Sequence, residues 1–173
     1  MIIQQKVLSR EIGEYMWRGN VTLSTAESCT SGALAAAVTS IPGASTYFKG
    51  GVVAYSDEVK KQLLQVPADL IEQKGAVSEE VAVSMAKGVL QALHTDYAVA
   101  VTGFAGPTGG AEAPVGTIWI AVGTAADIQT RMLSGDDGRE ANLVRATLVA
   151  LQMLLERLQL DFPLSDEADT AEK

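Results

Sequence analysis

Cysteine and histidine are almost absent from this chain, which has one of each, Cys29 and His94, in 173 residues. A single cysteine cannot form an internal disulfide framework. One cysteine and one histidine are also too few for a zinc site built from these ligands. We therefore expect no disulfide, no metal ion and a reducing, cytoplasmic compartment.

Basic charge is also scarce, because 13 lysines and arginines stand against 21 aspartates and glutamates, a formal net charge of −8. Proteins that bind a phosphate backbone concentrate basic side chains on one face, so nucleic acid is not an expected partner.

Long apolar runs are missing as well, since glycine, serine and charged residues interrupt the alanine- and valine-rich segments. Ile2 and Ile3 are followed at once by Gln4, Gln5 and Lys6, so a signal-peptide core is not expected either. No membrane span is predicted.

The residues that are present favour one globular domain. Hydrophobic residues make up 47% of the chain, and this length is enough to bury one sizeable core. We expect a single domain over residues 1–160. Residues 161–173 carry five acidic side chains and one lysine, a composition typical of a disordered, solvated tail.

Hydrophobic periodicity predicts five strands and at least four helices. A first helix is expected from Ile3 to Arg18, and a last helix from about Gly138 to Leu160. The predicted strands lie in "VTLSTAE", "YFKGGVVAYS", "YAVAVTG", "TIWIAVGT" and "IQTRMLSG". Further helices are predicted in "CTSGALAAAVTS", after Asp57 as N-cap, and from Ser78 to about Leu93. The mixed order favours a three-layer α/β/α domain with a mixed, mostly parallel five-stranded sheet and one reversed strand.

Three segments follow strands at the edge of the sheet where ligands bind in parallel α/β folds: "TAESCTSG", "AYSDEVKK" and "TGFAGPTGG". The first offers a nucleophile, either the Ser28 hydroxyl or the Cys29 thiol. The second offers Tyr55, Lys60 or Lys61 as a proton acceptor. The third is rich in glycine, and its backbone amides could cradle a phosphate.

Simpler interpretations exist for each of these residues. Ser28 or Thr30 could serve simply as a helix cap, and Cys29 simply as a residue of the core. Lys60 and Lys61 could form a solvated helix face. Arg139 and Arg145 lie in the first turns of the last predicted helix, where the dipole disfavours a cation unless an anion binds nearby.

A set of long motifs together resembles the carboxy-terminal domain family of the competence/damage-inducible protein CinA. They are "STAESCTSG", "GGVVAYSDEVKKQLLQV", "GAVSEEVAVSMA", "AVAVTGFAGPTGG" and "PVGTIWIA", and with their order and spacing they cover nearly all of Val21 to about Leu155. This family includes the nicotinamide-nucleotide amidases, also called NMN deamidases. The resemblance implies a three-layer α/β/α fold with a mixed five-stranded sheet, in agreement with the strands counted above.

For function, the resemblance implies hydrolysis of the carboxamide of nicotinamide mononucleotide (NMN) to nicotinate mononucleotide and ammonia, without cofactor or metal. It implies Ser28 as nucleophile, with Tyr55 and Lys60 from the motif "YSDEVK" as partners. Lys60 would remove the Ser28 proton, and amides at the following helix start would hold the oxyanion. The substrate contacts expected from it are Glu27, Cys29, Thr30, Thr102, Gly103, Gly106, Gly109, Gly110 and Arg145.

These residues are expected to have different roles. Glu27 would orient Lys60, or bind the ribose or the pyridinium. The glycine-rich loop after Thr102 and the guanidinium of Arg145 would hold the 5′-phosphate. A homo-oligomer is expected, because the small domain has apolar helices.

The sequence departs from the family pattern in two places. Ser31 stands where the pattern "TGG" has its first glycine, and only three residues, 111–113, separate "GPTGG" from "PVG" where many members have four. The alternative function is therefore a catalytically inactive paralogue that acts as a nucleotide-binding or interaction module. A hydrolase that depends on Cys29 is a further possibility.

Overall fold

The computed structural model describes residues 2–111 and 113–163, which form one α/β domain. Helices and strands alternate irregularly along the chain, with a short 3₁₀ turn at Ala44–Thr46. The helices are α1 (Ile3–Gly19), α2 (Ala33–Thr39), α3 (Asp57–Leu64), α4 (Ala68–Lys74), α5 (Glu79–Leu93) and α6 (Arg139–Asp161). The strands are β1 (Leu23–Glu27), β2 (Phe48–Val53), β3 (Tyr97–Gly103), β4 (Ile118–Gly123) and β5 (Ile128–Leu133). Over these described ranges, no helix combines the length and the apolar character that crossing a bilayer requires.

The five strands form one mixed sheet in the order β2-β1-β3-β4-β5. Strand β1 lies at the centre of the parallel part, paired in parallel with both β2 and β3. Strand β4 runs antiparallel to β3 and to β5. The predicted fold class, with one reversed strand in a mostly parallel sheet, is confirmed.

The two faces of the sheet carry side chains of different size. One face presents Leu23, Val99, Val101, Ile118 and Ile120 to a core shared with α1, α2 and α6. The opposite face presents alanines to a core shared with α3 and α5; they are Ala26, Ala98, Ala100 and Ala121. Small side chains on a strand face allow a helix to approach closely, so α5 lies directly on the sheet.

Helix α3 packs against α5 through a close backbone contact. A Cβ atom added to Gly88 of α5 would lie 2.0 Å from the backbone oxygen of Leu64 at the end of α3. Only glycine fits at this crossing, because the neighbouring atom is rigid backbone. The position of α3 relative to the sheet is therefore fixed, and α3 carries Lys60.

Two predicted boundaries are wrong. Helix α2 begins at Ala33 and not at Cys29, because Ser31 and Gly32 have φ of +52° and +95°, outside the helical region. The N-cap of α3 is Ser56, whose hydroxyl oxygen accepts a hydrogen bond from the Val59 amide at 3.3 Å. Asp57 is the first helical residue.

The last helix extends slightly further than predicted. It includes Asp161, and Phe162 packs against the core, where its ring fills the space that a side chain on Gly19 would need. Asp161 and Phe162 are therefore part of the folded domain. The remainder of the expected acidic tail, residues 164–173, lies outside the described residues.

Candidate active site

Ser28 directly follows the carboxyl end of β1. Its amide donates to the carbonyl oxygen of Val101 in β3 at 2.9 Å, which continues the β1–β3 pairing by one residue. The chain then turns sharply, and the Ser31 amide donates to the Ser28 carbonyl oxygen at 3.1 Å. This places the Ser28 side chain where a parallel sheet opens onto its ligand-binding edge.

Lys60 approaches Ser28 from α3. Its ammonium nitrogen lies 3.4 Å from the Ser28 hydroxyl oxygen, although 32 residues separate the two in sequence. Only 3% of the Lys60 side chain is exposed. Lys61, in contrast, is 38% exposed and pairs with Glu58 at the surface. Of the two adjacent lysines, Lys60 is therefore the one next to the candidate nucleophile.

Asp57, the predicted N-cap of α3, is also a charged neighbour of Lys60. Its carboxylate oxygen lies 3.5 Å from the Lys60 nitrogen, while half of its side chain is exposed. Asp57 also borders a cleft of about 470 Å³ whose other lining residues are Ile71, Glu72, Gln73, Lys74, Gly75, Ala76 and Ala111. The spacing of three residues on a helix was the available signal, since it places both side chains on one face.

Glu27 has a different role from the one expected. Its buried carboxylate accepts hydrogen bonds from three backbone amides in the loop and first turn of α2: Gly32 at 3.0 Å, Leu34 at 3.0 Å and Ala35 at 2.8 Å. Both carboxylate oxygens thus face α2 and not Lys60. Glu27 caps α2 and fixes the turn that carries Ser28.

The amides that could stabilise an oxyanion are consequently not those of α2 itself. Within the described residues, the amides of Cys29 and Thr30 donate to no oxygen atom and lie against the Cys29 sulfur. The Thr30 hydroxyl is buried and has no hydrogen-bond partner among the residues that the structure describes. Amide donors directly after a nucleophile are the arrangement that oxyanion stabilisation requires, although here both amides already contact the Cys29 sulfur.

Cys29 is a poor nucleophile in this setting. Its side chain is buried in the core between the sheet, α2 and α6. Burial raises the pKa of the thiol to about 12, and the nearby Arg139 guanidinium only partly opposes this. Since the thiolate is the reactive form, the geometry disfavours a hydrolase that depends on Cys29.

Arg139, the first residue of α6, joins three loops at this edge. Its guanidinium donates to the Gly106 carbonyl oxygen at 2.7 Å and to the Tyr55 hydroxyl oxygen at 3.2 Å. Both acceptors are neutral, and no carboxylate lies within ion-pair distance of Arg139 in the described ranges. The Tyr55 hydroxyl therefore contacts Arg139 and makes no hydrogen bond to Ser28 or Lys60.

Arg145 lies further along α6, and its two terminal guanidinium nitrogens contact the preceding turn, while its buried Nε has no hydrogen-bond partner in the described residues. It donates to the Gly135 carbonyl oxygen, to Asn142 at 3.2 Å and to Asp137 at 3.3 Å. These contacts hold the segment before α6 in place. They do not bring Arg145 to Ser28, Lys60 or Tyr55.

The loop between β3 and β4 is closed by its own backbone hydrogen bonds. Phe104 and Thr117 pair at its base with a distance of 2.9 Å, and the Gly110 amide donates to Ala113 at 3.0 Å. Gly103 and Gly109 are required by space, because a Cβ atom would lie 2.6 Å from Ile118 and 2.7 Å from Ala113 respectively. The Thr102 hydroxyl donates to the Ala76 carbonyl oxygen at 2.8 Å, beside the cleft that Asp57 borders.

Comparison with known proteins adds to this geometry. The profile of the CinA C-terminal domain family matches residues 5–158. The chain belongs to this family. It is 44% identical over 154 residues to the nicotinamide-nucleotide amidohydrolase PncC of Escherichia coli, covering 87% of this chain and 92% of that protein. The PncC of Pseudomonas putida is 43% identical over 150 residues, with coverage of 86% and 94%.

Other members of the CinA family are much longer. A CinA-like protein of Parasynechococcus marenigrum is 52% identical over 129 residues, which cover 74% of this chain but 28% of that protein. The chain thus spans between 28% and 38% of the longer CinA relatives it matches. Among solved structures, a CinA superfamily protein from Klebsiella pneumoniae superposes with a TM-score of 0.87 at 34% identity, covering 90% of this chain and 98% of that one. A competence/damage-inducible protein from Agrobacterium tumefaciens gives the same TM-score at 36% identity, covering 90% and 96%.

Proposed function

We propose that this protein is a nicotinamide-nucleotide amidase that hydrolyses NMN to nicotinate mononucleotide and ammonia. The observation that carries the proposal is the buried Lys60 nitrogen, 3.4 Å from the Ser28 hydroxyl oxygen at the carboxyl end of β1. The 44% identity to PncC, over nearly the whole of both chains, supports the choice of substrate.

In the first half of the proposed reaction, Lys60 acts as general base. As a neutral amine it takes the proton of the Ser28 hydroxyl, and the oxygen attacks the carboxamide carbon of NMN. The negative charge then develops on the carboxamide oxygen, where the amides of Cys29 and Thr30, in the turn directly after Ser28, would donate hydrogen bonds. The Lys60 ammonium returns its proton to the amide nitrogen, the carbon–nitrogen bond breaks, and ammonia leaves.

In the second half, water replaces ammonia. Lys60, again neutral, takes a proton from a water molecule that attacks the ester on Ser28. The ester bond breaks, the Ser28 oxygen recovers its proton from Lys60, and nicotinate mononucleotide is released. Lys60 thus carries one proton of the water molecule to Ser28, and the other proton stays on the new carboxyl group until that group ionises in solvent.

Arg139 is the residue we propose for the 5′-phosphate, in place of Arg145. Its guanidinium is held by two neutral acceptors and keeps its charge available for an anion, while Arg145 already contacts Asp137. Gly106 and Tyr55 would position Arg139. At the same edge of the sheet, the residues that remain proposed substrate contacts are Gly109, Gly110 and Thr30.

The assay for this proposal is incubation with NMN, followed by measurement of ammonia and nicotinate mononucleotide. Equal amounts of both products are expected, together with a rise in melting temperature when substrate binds. A rise in melting temperature without ammonia would favour the inactive binding module. No binding and no ammonia would refute both.

We further propose a cytoplasmic homo-oligomer. Exposed Ile3 and Val7 on α1 border an apolar cleft with Leu148 of α6, which supports self-association through this face. Light scattering of the full chain should give more than one subunit per particle, and a monomer at assay concentration would contradict this.

A further inference from the structure

We propose that Asp57 makes this site selective for a positively charged pyridinium ring, which rests on the proposed function. The substrate class is then the oxidised nicotinamide nucleotides, whose ring nitrogen is quaternary. The reduced dihydropyridine forms have the same carboxamide, ribose and phosphate, but their ring is neutral.

The first support is the position of the Asp57 carboxylate. It lies 3.5 Å from the Lys60 nitrogen, which in turn lies 3.4 Å from the Ser28 oxygen. Asp57 and Ser28 thus both lie beside the same Lys60 nitrogen, which puts the carboxylate close to the site of attack. The carboxylate is also half exposed and borders the cleft, so a bound ring can reach it.

The second support is the charge of the cleft. Glu72 is the other acidic side chain on its lining, and the one lysine there, Lys74, is already paired with Glu80 at 2.7 Å. The lining therefore attracts a cation and repels a phosphate. The guanidinium of Arg139, which donates to Tyr55 and Gly106, is not among the residues that line this cleft. A cationic ring beside Asp57 and an anionic phosphate beside Arg139 would each meet a side chain of opposite charge.

The third support is the role of Lys60. A carboxylate next to a lysine stabilises the charged ammonium, which opposes the use of that lysine as a base. Lys60 is the one cationic side chain within ion-pair distance of Asp57 in the described residues, so a Lys60 that acts as a base leaves the carboxylate without a positive partner. A pyridinium ring supplies that missing positive charge, so the carboxylate aids the reaction only with a cationic substrate.

Asp57 could instead serve only the helix, since a carboxylate in the first turn of α3 stabilises its dipole. Glu58 is in the same turn, is fully exposed to solvent and pairs with Lys61. Glu58→Gln removes the same charge from the same turn outside the cleft. It is therefore the matched control for Asp57→Asn.

The test compares NMN with its reduced form in wild type, Asp57→Asn and Glu58→Gln. The KM for NMN is measured by ammonia release, and the reduced nucleotide is used as a competitive inhibitor to obtain its Ki. In Asp57→Asn the KM for NMN should rise about fivefold, the effect of one half-exposed charge pair, while the Ki of the reduced form stays unchanged. Glu58→Gln should change neither constant, and Asp57→Glu should retain most of the preference for NMN.

Equal changes in both constants, or no change in either, would overturn the role of Asp57. If Asp57→Asn does not fold, Asp57→Glu decides: loss of the preference despite a retained carboxylate and a normal melting temperature would also overturn it. Absence of ammonia with the wild type refutes the proposed function instead. In that case calorimetry measures the affinities of the wild type for NMN and for reduced NMN. Equal affinities would refute the preference for the cationic ring.

Discussion

At the scale of single residues, Lys60 and Lys61 are adjacent in sequence but have different surroundings. Lys60 is buried against Ser28, whereas Lys61 is exposed and pairs with Glu58. Lys60→Met should reduce ammonia release from NMN by at least about a hundredfold, because it removes the general base. Lys61→Met should leave the rate near wild type. Equal losses in the two variants would show that Lys60 has no special role in proton transfer.

Ser31 is the residue at which the chain departs from the family pattern inside the Ser28 turn. Its backbone is left-handed with φ of +52°, its side chain is exposed, and its hydroxyl donates to the Cys29 carbonyl oxygen at 3.2 Å. In the described residues, the Ser31 hydroxyl makes no hydrogen bond to Ser28 or Lys60. The substitution costs some backbone strain but does not fill the site.

Ser31→Gly should relieve that strain and keep the activity. The left-handed conformation costs about 1 kcal/mol for a residue with a side chain, and the added freedom of the unfolded chain offsets part of this gain. The free energy of unfolding, measured in urea, should be unchanged or higher by up to about 1 kcal/mol. A large increase in kcat for Ser31→Gly would contradict this account, since it would mean that Ser31 limits turnover.

At the scale of elements, Glu27 couples the end of β1 to the start of α2. Its two carboxylate oxygens accept from three amides, and it is almost completely buried. Glu27→Gln replaces one acceptor by an NH₂ group that faces a backbone donor, and it removes the charge. Unfolding should become easier by about 2 kcal/mol.

Because the same turn carries Ser28, kcat should fall in Glu27→Gln as well. The matched control is Glu14→Gln, on the exposed side of α1. It should change neither the urea midpoint nor kcat. A Glu27→Gln protein with wild-type stability would show that the cap contributes nothing.

The end of α6 is attached to the start of β3 through Asp161. Its carboxylate accepts from the Tyr97 hydroxyl at 2.6 Å and from the Arg157 guanidinium at 2.7 Å. Burial alone would raise the pKa of this carboxyl, but these hydrogen bonds and the charge of Arg157 lower it below the ordinary 3.8. Burial and the same carboxylate raise the pKa of the Tyr97 phenol.

This contact predicts how stability depends on pH. A carboxyl whose pKa is lower in the folded state stabilises the protein above its unfolded pKa, and this stabilisation is lost as pH falls through the folded value. Asp161→Asn should therefore unfold about 1 kcal/mol more easily at pH 7. The difference should disappear in acid below the ordinary value of 3.8. A difference that persists unchanged at pH 2 would contradict the assignment.

At the scale of the whole molecule, the pattern of hydrophobic residues was sufficient for the sheet but not for its connections. Five strands, one of them reversed, follow from short apolar runs, since burial on both faces leaves a clear pattern. The start of α2 could not be predicted, because it depends on the left-handed Ser31 and on the side chain of Glu27. Local residue preferences do not show where a buried carboxylate points.

The candidate site was predictable only in part. Ser28, Tyr55 and Lys60 were assigned from the family resemblance, and the fold brings Ser28 and Lys60 together across 32 residues. The contacts of Arg139 span 33 and 84 residues, so they exist only once the loops are folded. A carboxylate at the start of a helix is typical of a cap, so the contact between Asp57 and Lys60 is clear only in the folded structure.

The central claim is that Ser28, and not the adjacent Cys29, attacks the carboxamide. The most direct test is the rate of ammonia release from NMN by Ser28→Ala and Cys29→Ala, measured in parallel with the wild type. Ser28→Ala should lower kcat by at least about a thousandfold, as expected when a nucleophile is removed. Cys29→Ala should retain most of the activity, because its thiol is buried and its pKa is raised to about 12. An active Ser28→Ala protein, or loss of activity only in a folded Cys29→Ala protein, would contradict the account.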